Sequence, residues 1–135
     1  MTNPLRRILY IEDEPDIRTV AMLALQVIGG FEVVACASGA EGLAAAPGVR
    51  PDLVLLDVMM PDMDGPATLR ALRAMPATAQ TPIVFMTAKV QPGEVAEYKA
   101  LGALDVIPKP FSPTEVSNQI RRIWERRMPV AAPGI

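Results

Sequence analysis

The chain has 135 residues, 50% of them hydrophobic, which is the size of a single domain with a full hydrophobic core; we do not expect a second domain. Its 13 Lys and Arg residues against 15 Asp and Glu give a net charge of -2, so the composition indicates no nucleic-acid partner and no membrane surface. The sequence has no histidine, which excludes serine–histidine and cysteine–histidine nucleophiles and imidazole metal sites.

The first residues and the single cysteine bear on where the protein works. Cys36 is the only cysteine, so no internal disulfide can form. No apolar or amphipathic leader precedes Leu5, and no apolar run approaches the roughly 20 residues of a membrane-spanning helix. We therefore expect a cytoplasmic protein.

Strand-like and helix-like segments alternate along the chain. Apolar runs rich in β-branched and aliphatic residues predict five short strands, at 8–11, 31–37, 53–56, 83–86 and 106–107. The runs are continuous rather than alternating, which predicts strands buried on both faces. Between them, apolar residues at a spacing of 3.6 predict helices. The first of these ends before Gly29 and the fourth ends at Gly102.

Two helix starts carry capping-box patterns, Ser38 with Glu41 and Ser112 with Glu115. Residues 128–135 contain two prolines and no apolar period, so we expect a flexible C-terminal tail there. Five successive strand–helix units predict an α/β fold with an open, doubly wound parallel sheet and right-handed crossovers. Sheets of this kind bind their ligands at the carboxyl ends of the strands.

Polar residues occur at that edge after four of the five predicted strands. They are Glu12, Asp13 and Glu14 after the first strand, Asp57 after the third, Thr87 and Lys89, separated by Ala88, after the fourth, and Lys109 after the fifth. The plain interpretation is that each is solvated or caps the next helix. Four strand ends with this pattern together favour a shared site instead.

The chemistry of that edge suggests a phosphoryl group and a metal ion. Two carboxylates about 4 Å apart, as Asp13 and Asp57 would be on neighbouring strands, repel by roughly 4 kcal/mol at an effective dielectric constant near 20. Mg²⁺ would offset this, since it takes oxygen ligands and commonly uses one or two carboxylates with a phosphate oxygen. Lys109 and Thr87 would hold phosphoryl oxygens, and Asp57 would be the nucleophile.

The same residues resemble the receiver domain of bacterial two-component response regulators. The resemblance rests on Glu12-Asp13, on Asp57 with Met60-Pro61 and Asp64-Gly65, on Thr87-Ala88, and on Lys109-Pro110-Phe111, in this order and each at its own strand end. It covers residues 6–127. It implies a flavodoxin-like five-stranded parallel sheet of order 2-1-3-4-5 with five helices.

The resemblance also assigns roles to individual residues. Asp57 would be the phosphoacceptor, and Mg²⁺ would be bound by Asp13, Asp57 and the Met59 carbonyl with support from Glu12. Thr87, the Ala88 N–H and Lys109 would hold the phosphoryl oxygens, and the Lys109–Pro110 peptide would be cis. The domain would catalyse only its own phosphorylation and dephosphorylation, so it is not predicted to be an enzyme acting on other substrates.

Three positions depart from the usual family pattern or modulate it. Val106 stands where relatives usually have Tyr or Phe, so the usual aromatic switch that accompanies Thr87 is missing. Met59 and Lys89 flank the path of the water that would hydrolyse the phosphoryl group, where fast relatives often have an amide and a carboxylate. Neither side chain can accept a proton from that water.

Several functions remain open on this basis. With no effector domain expected, the first is a stand-alone response regulator that receives a phosphoryl group from a sensor histidine kinase and binds a downstream effector protein when phosphorylated. The second is a phosphorelay intermediate or phosphate sink that passes the group to a histidine phosphotransfer protein. A haloacid-dehalogenase-type phosphatase would need Asp where Met59 stands, and a flavodoxin would need a phosphate loop where Glu12, Asp13 and Glu14 stand.

Overall fold

The computed structural model describes residues 4–127, which form one five-stranded parallel sheet with helices on both faces. The strands are β1 (Arg7–Ile11), β2 (Glu32–Cys36), β3 (Leu53–Asp57), β4 (Ile83–Thr87) and β5 (Asp105–Pro108). Their order across the sheet is β2-β1-β3-β4-β5. The predicted flavodoxin-like topology is therefore confirmed. The expected tail at 128–135 lies outside the described residues.

Within residues 4–127, four α-helices connect the strands and a fifth follows β5. They are α1 (Pro15–Leu23), α2 (Gly39–Val49), α3 (Gly65–Ala74), α4 (Pro92–Leu101) and α5 (Val116–Arg126). A π-helical turn, Ala24–Ile28, continues α1. Within residues 4–127, no helix is both long enough and apolar enough to cross a membrane.

Two hydrophobic layers enclose the sheet, one on each face. Residues of α1 and α5 pack with Ile8, Tyr10 and Leu55 on one face, while residues of α2, α3 and α4 pack with Leu9 and Phe85 on the other. All five residues of β3 and all five of β4 are buried. This two-sided burial explains why the strands have continuous apolar sequences.

The π-helical turn is closely packed against α5. The Ser117 hydroxyl donates to the Ala24 carbonyl at 3.1 Å, and the Arg121 guanidinium donates to the Gly29 carbonyl. A Cβ at Gly29 would lie 2.3 Å from Ser117 Oγ, so only glycine permits this approach. Gly30, with φ of +75°, then turns the chain into β2.

The helix ends follow the sequence signals only in part. Ser38 Oγ accepts from the Glu41 N–H at 3.1 Å, and Gly102 ends α4 with φ of +116°, as predicted. The capping box at Ser112 is a wrong prediction, because α5 begins only at Val116. Instead, the Ser112 carbonyl accepts from the N–H groups of Glu115 and Val116, and the segment between forms a turn.

Candidate functional site

Three carboxylates meet at the carboxyl edge of the sheet, where β1 and β3 lie side by side. Asp57 is the last residue of β3, while Glu12 and Asp13 directly follow β1. One carboxylate oxygen from each of the three lies within 4.8 Å of the other two. Glu12 is fully buried, Asp57 is 3% exposed and Asp13 is half-buried. The structure thus brings together the acidic residues that the sequence placed on neighbouring strand ends.

Lys109 inserts its ammonium group into this cluster from the loop after β5. Its Nζ donates to Asp57 Oδ1 at 3.0 Å and forms an ion pair with Glu12 Oε1 at 2.7 Å. The Lys109 N–H donates to the Thr87 carbonyl at 2.9 Å, which ties the loop to the end of β4. The Lys109–Pro110 peptide is cis, as the resemblance implied.

Burial and charge change the proton affinities of the two paired groups. Burial, followed by the neighbouring Glu12 carboxylate, raises the pKa of Asp57 to about 7 despite the opposing effect of Lys109. For Lys109, burial alone would lower the pKa of the ammonium, but hydrogen bonding and attraction to Glu12 and Asp57 outweigh it and raise that pKa. Lys109 therefore remains a cation beside the carboxylates.

Thr87, Ala88 and Lys89 lie at the same edge, at the end of β4. The register pairs Asp57 with Met86, so Thr87 lies one residue further along the neighbouring strand. Thr87 is 1% exposed, and its Oγ1 accepts from the Lys89 N–H at 3.1 Å. Ala88 and Lys89 are exposed. Met59, two residues after Asp57, is 63% exposed, so its side chain is on the surface rather than in the core.

The donor chemistry of the acidic cluster fits Mg²⁺. All three side chains offer hard carboxylate oxygens, and a single ammonium leaves an excess of negative charge among them. Hard divalent cations are bound by such oxygen sets, whereas soft metals prefer sulfur or imidazole ligands. Receiver domains generally bind Mg²⁺ at an acidic pocket of this kind.

Two further residues shape the site and were not predicted from the sequence. Arg18 on α1 donates from Nη1 to the carbonyls of Glu12, at 2.8 Å, and Asp13, at 3.4 Å, and so holds the acidic loop. In the sequence, Arg18 forms no recognisable motif with Glu12 and Asp13. Tyr10 is buried beneath the site on β1. Gly65, the first residue of α3, lies against the end of β3, since a Cβ there would be 2.7 Å from the Asp57 carbonyl oxygen.

Val106 lies on β5 next to Phe85 of β4, and both belong to the layer that faces α4. The aromatic partner of Phe85 comes instead from α4. The rings of Phe85 and Tyr98 meet edge to face with centroids 5.3 Å apart. No residue of α4 is fully buried, so this half-buried tyrosine is a main anchor of the helix.

Fold and site together are those of a receiver domain, and the chain belongs to the response regulator receiver domain family, whose profile matches residues 8–121. The solved chemotaxis protein CheY4 of Vibrio cholerae is similar, with a TM-score of 0.81 and 33% identity over 89% of this chain and 99% of that one. The N-terminal domain of a response regulator receiver protein from Methanoculleus marisnigri has a TM-score of 0.71 and 38% identity, covering 88% of this chain and 96% of that one.

Curated relatives are similar over the same region. The alkaline phosphatase synthesis transcriptional regulatory protein PhoP of Bacillus subtilis is 37% identical over 96% of this chain and 52% of that protein. The DNA-binding response regulator MtrA of Mycolicibacterium smegmatis is 38% identical over 86% of this chain and 49% of that protein. The chain thus spans about half the length of the curated relatives it matches.

Proposed function

We propose that Asp57 accepts a phosphoryl group from a phosphohistidine of a sensor histidine kinase or of a histidine phosphotransfer protein. The observation that carries this proposal is the contact of Lys109 Nζ with both Asp57 and Glu12 at the edge of the sheet. A rigid, buried strand holds the Asp57 carboxylate in place, and phosphoryl transfer depends mainly on positioning and electrostatics.

The chemistry of the transfer follows from the residues around Asp57. A carboxylate oxygen of Asp57 forms a bond to phosphorus, and the bond between phosphorus and the donor imidazole nitrogen breaks in line with it, so the electron pair stays on that nitrogen. Lys109 stabilises the negative charge of the transferred group as a fixed point charge. Thr87 and the Ala88 N–H would donate to the remaining phosphoryl oxygens.

Asp13, Asp57 and the Met59 carbonyl, with Glu12 in support, would hold Mg²⁺. When bound, the cation neutralises carboxylate repulsion and charge on phosphoryl oxygens. The protein's own residues do the rest, because Lys109 orients Asp57 and Arg18 holds the acidic loop. In this proposal the receiver domain, residues 6–127, acts only on its own phosphorylation and dephosphorylation.

The proposed output is binding of a downstream effector protein in the cytoplasm, changed by phosphorylation and without contact to nucleic acid or membrane. The likeness to the chemotaxis protein CheY4, which this chain covers almost completely, supports a stand-alone regulator. The names of the curated relatives favour a different arrangement, in which such a receiver controls a DNA-binding regulator. A partner pulldown with and without beryllofluoride, combined with a DNA-binding assay, distinguishes these two outputs.

A second candidate function is that of a phosphorelay intermediate or phosphate sink. It is favoured by Met59, which is 63% exposed beside Asp57 and lacks a group that could activate water. A slowly hydrolysed phosphoryl group is available for onward transfer to a histidine phosphotransfer protein. Phosphotransfer profiling against kinases and phosphotransfer proteins separates this function from a terminal regulator.

The direct test is incubation with acetyl phosphate and Mg²⁺, followed by mass spectrometry of the modified residue. We expect one phosphoryl group per chain, located on Asp57. The Asp57→Asn variant should take up none, whereas the control Asp62→Asn, at an exposed position with φ of +66° that asparagine tolerates, should behave as wild type. Uptake by Asp57→Asn at the wild-type rate would refute the proposal.

A further inference from the structure

Tyr10 is a fully buried tyrosine on β1, and its hydroxyl has no hydrogen-bond partner among residues 4–127. Buried hydroxyl groups are usually hydrogen-bonded, because an unpaired one loses its contacts with water and gains nothing in return. Phenylalanine would fill the same space without that cost. The hydroxyl therefore requires an explanation.

The nearest acidic residue along the strand is Glu12, which is also fully buried. The Glu12 N–H still donates to the Cys36 carbonyl at 3.0 Å, so the strand pairing extends to this residue. Residues two positions apart in a strand point to the same face of the sheet. Tyr10 and Glu12 are thus directed into the same layer, the one that contains α1 and α5.

The carboxylate of Glu12 has capacity for one more donor. Its Oε2 accepts from the Glu14 N–H at 3.1 Å. Within the described part of the chain, Oε1 lies 2.7 Å from Lys109 Nζ, and no further donor contacts it. A carboxylate oxygen has two lone pairs, so Oε1 can accept from a second donor.

Tyr10 can supply that hydrogen bond. A tyrosine hydroxyl carries its proton at neutral pH and can therefore act as a hydrogen-bond donor. The other cation close by, Arg18, already donates to the carbonyls of Glu12 and Asp13. Beneath the acidic site there is consequently one buried donor and one buried acceptor that do not reach each other directly.

We propose that Tyr10 is a positioning residue of the acidic site, whose hydroxyl donates through one ordered water to Oε1 of Glu12. A buried water of this kind makes two to four hydrogen bonds with polar groups that otherwise lack partners. The bridge would fix the Glu12 carboxylate and, through the ion pair, the ammonium of Lys109. The inference rests on the proposed function to the extent that this site binds Mg²⁺.

Tyrosine NMR tests the bridge directly, because the sequence has only two tyrosines. The second, Tyr98, is half-buried on α4 against Phe85 and serves as an internal control. With ¹³C at the tyrosine Cζ, the Tyr10 signal should split in mixed H₂O and D₂O, since its bridged hydroxyl proton exchanges slowly. Glu12→Gln and added Mg²⁺ should both shift the Tyr10 signal and leave that of Tyr98 in place.

Mg²⁺ binding measured by calorimetry gives the second test. Tyr10→Phe should weaken Mg²⁺ binding by about tenfold, the lower end of what loss of an outer hydrogen bond costs a metal site. Tyr98→Phe should bind as wild type. A hydroxyl with only a structural role would change the Tm of Tyr10→Phe without changing its Mg²⁺ affinity.

The outcomes separate this inference from the proposed function. Unchanged Mg²⁺ affinity in Tyr10→Phe, or a Tyr10 signal insensitive to Glu12→Gln, would overturn the bridge even if Asp57 is phosphorylated. If acetyl phosphate fails to modify Asp57 while Tyr10→Phe still binds Mg²⁺ about tenfold more weakly than wild type, only the phosphoacceptor role is overturned. The wild-type NMR experiment decides the matter if Tyr10→Phe does not fold.

Discussion

Lys109 Nζ donates to Asp57 Oδ1 at 3.0 Å, although the two residues are 52 positions apart in the chain. The same nitrogen lies 2.7 Å from Glu12 Oε1, so one cation offsets two buried carboxylates. Removing one member of a buried ion pair costs more than the pair contributes, because the remaining charge loses its partner. Stability and phosphoryl transfer therefore depend on the same ammonium group.

Replacing Lys109 with methionine should destabilise the metal-free protein by about 3 kcal/mol, because Asp57 and Glu12 lose their buried cation. Urea unfolding in the presence of a chelator measures the loss. The matched control is Lys99→Met, which removes a half-exposed lysine 3.7 Å from Asp105 and should cost less than about 1 kcal/mol. Equal losses of unfolding free energy in the two variants would show that the charge of Lys109 is screened by solvent.

Asp57 should make the metal-free protein less stable as the pH rises from about 4 to about 7. Burial raises its pKa from 3.8 to about 7 in the folded chain, so the folded state holds the proton more tightly than the unfolded state does. The free energy of unfolding then falls across this interval. Asp57→Asn removes the ionisable carboxyl group. Above about pH 7 this variant should be more stable than wild type by on the order of 1 kcal/mol.

Urea unfolding of wild type and Asp57→Asn at several pH values, with a chelator present, tests this dependence. Glu12, Asp13 and Lys109 are present in both proteins, so the difference between the curves reports on Asp57. Parallel curves for the two proteins would contradict the prediction.

Phosphorylation should rearrange the loop after β4 more than β5. Val106 is a half-buried, β-branched residue with one stiff rotamer and little surface to move, whereas Ala88 and Lys89 are exposed. Backbone chemical shifts with and without beryllofluoride should change most over residues 87–92. Large chemical-shift changes across α5, with little change over residues 87–92, would contradict this prediction.

The phosphoryl group on Asp57 should hydrolyse slowly. Met59 is exposed beside the acceptor and its thioether is at best a weak acceptor, while the exposed Lys89 offers donors only. Hydrolysis should be about tenfold or more slower than in a fast chemotaxis-type receiver, a barrier difference of at least about 1.4 kcal/mol. The decay rate of the phosphorylated protein in Mg²⁺ is the measurement.

Three variants test the role of these two side chains. Met59→Asn and Lys89→Glu should each speed the decay, and the double variant should be fastest, because the amide orients water and the carboxylate accepts its proton. A decay rate that stays the same in all three would assign control of water access to other residues.

Part of the fold is specified locally and was predictable. The apolar runs of β3 and β4 have no polar interruption, which only two-sided burial tolerates, and Gly102 marks the end of α4 by its positive φ. The polar residues after four of the five strands could be assigned to one edge because parallel strands end on the same side. Asp57 and Lys109 were identified in this way.

Other features depended on the packed structure. The capping pattern at Ser112 did not start a helix, because the chain first forms a turn before α5, and local patterns do not register such tertiary constraints. The π-helical turn packs closely against Ser117, which is far from it in sequence and donates to the Ala24 carbonyl. Nothing in the periodicity of α1 predicts it.

The sequence by itself determined which residues are buried in strands and which polar groups stand at the strand ends, because those properties follow from hydrophobic periodicity and turn chemistry. Only the tertiary structure decided that Lys109 contacts Glu12 as well as Asp57 and that Tyr10 is buried beneath them without a partner among residues 4–127. These pairings depend on the order of the strands and the packing of the crossovers, which bring distant residues together by geometry that no local pattern encodes.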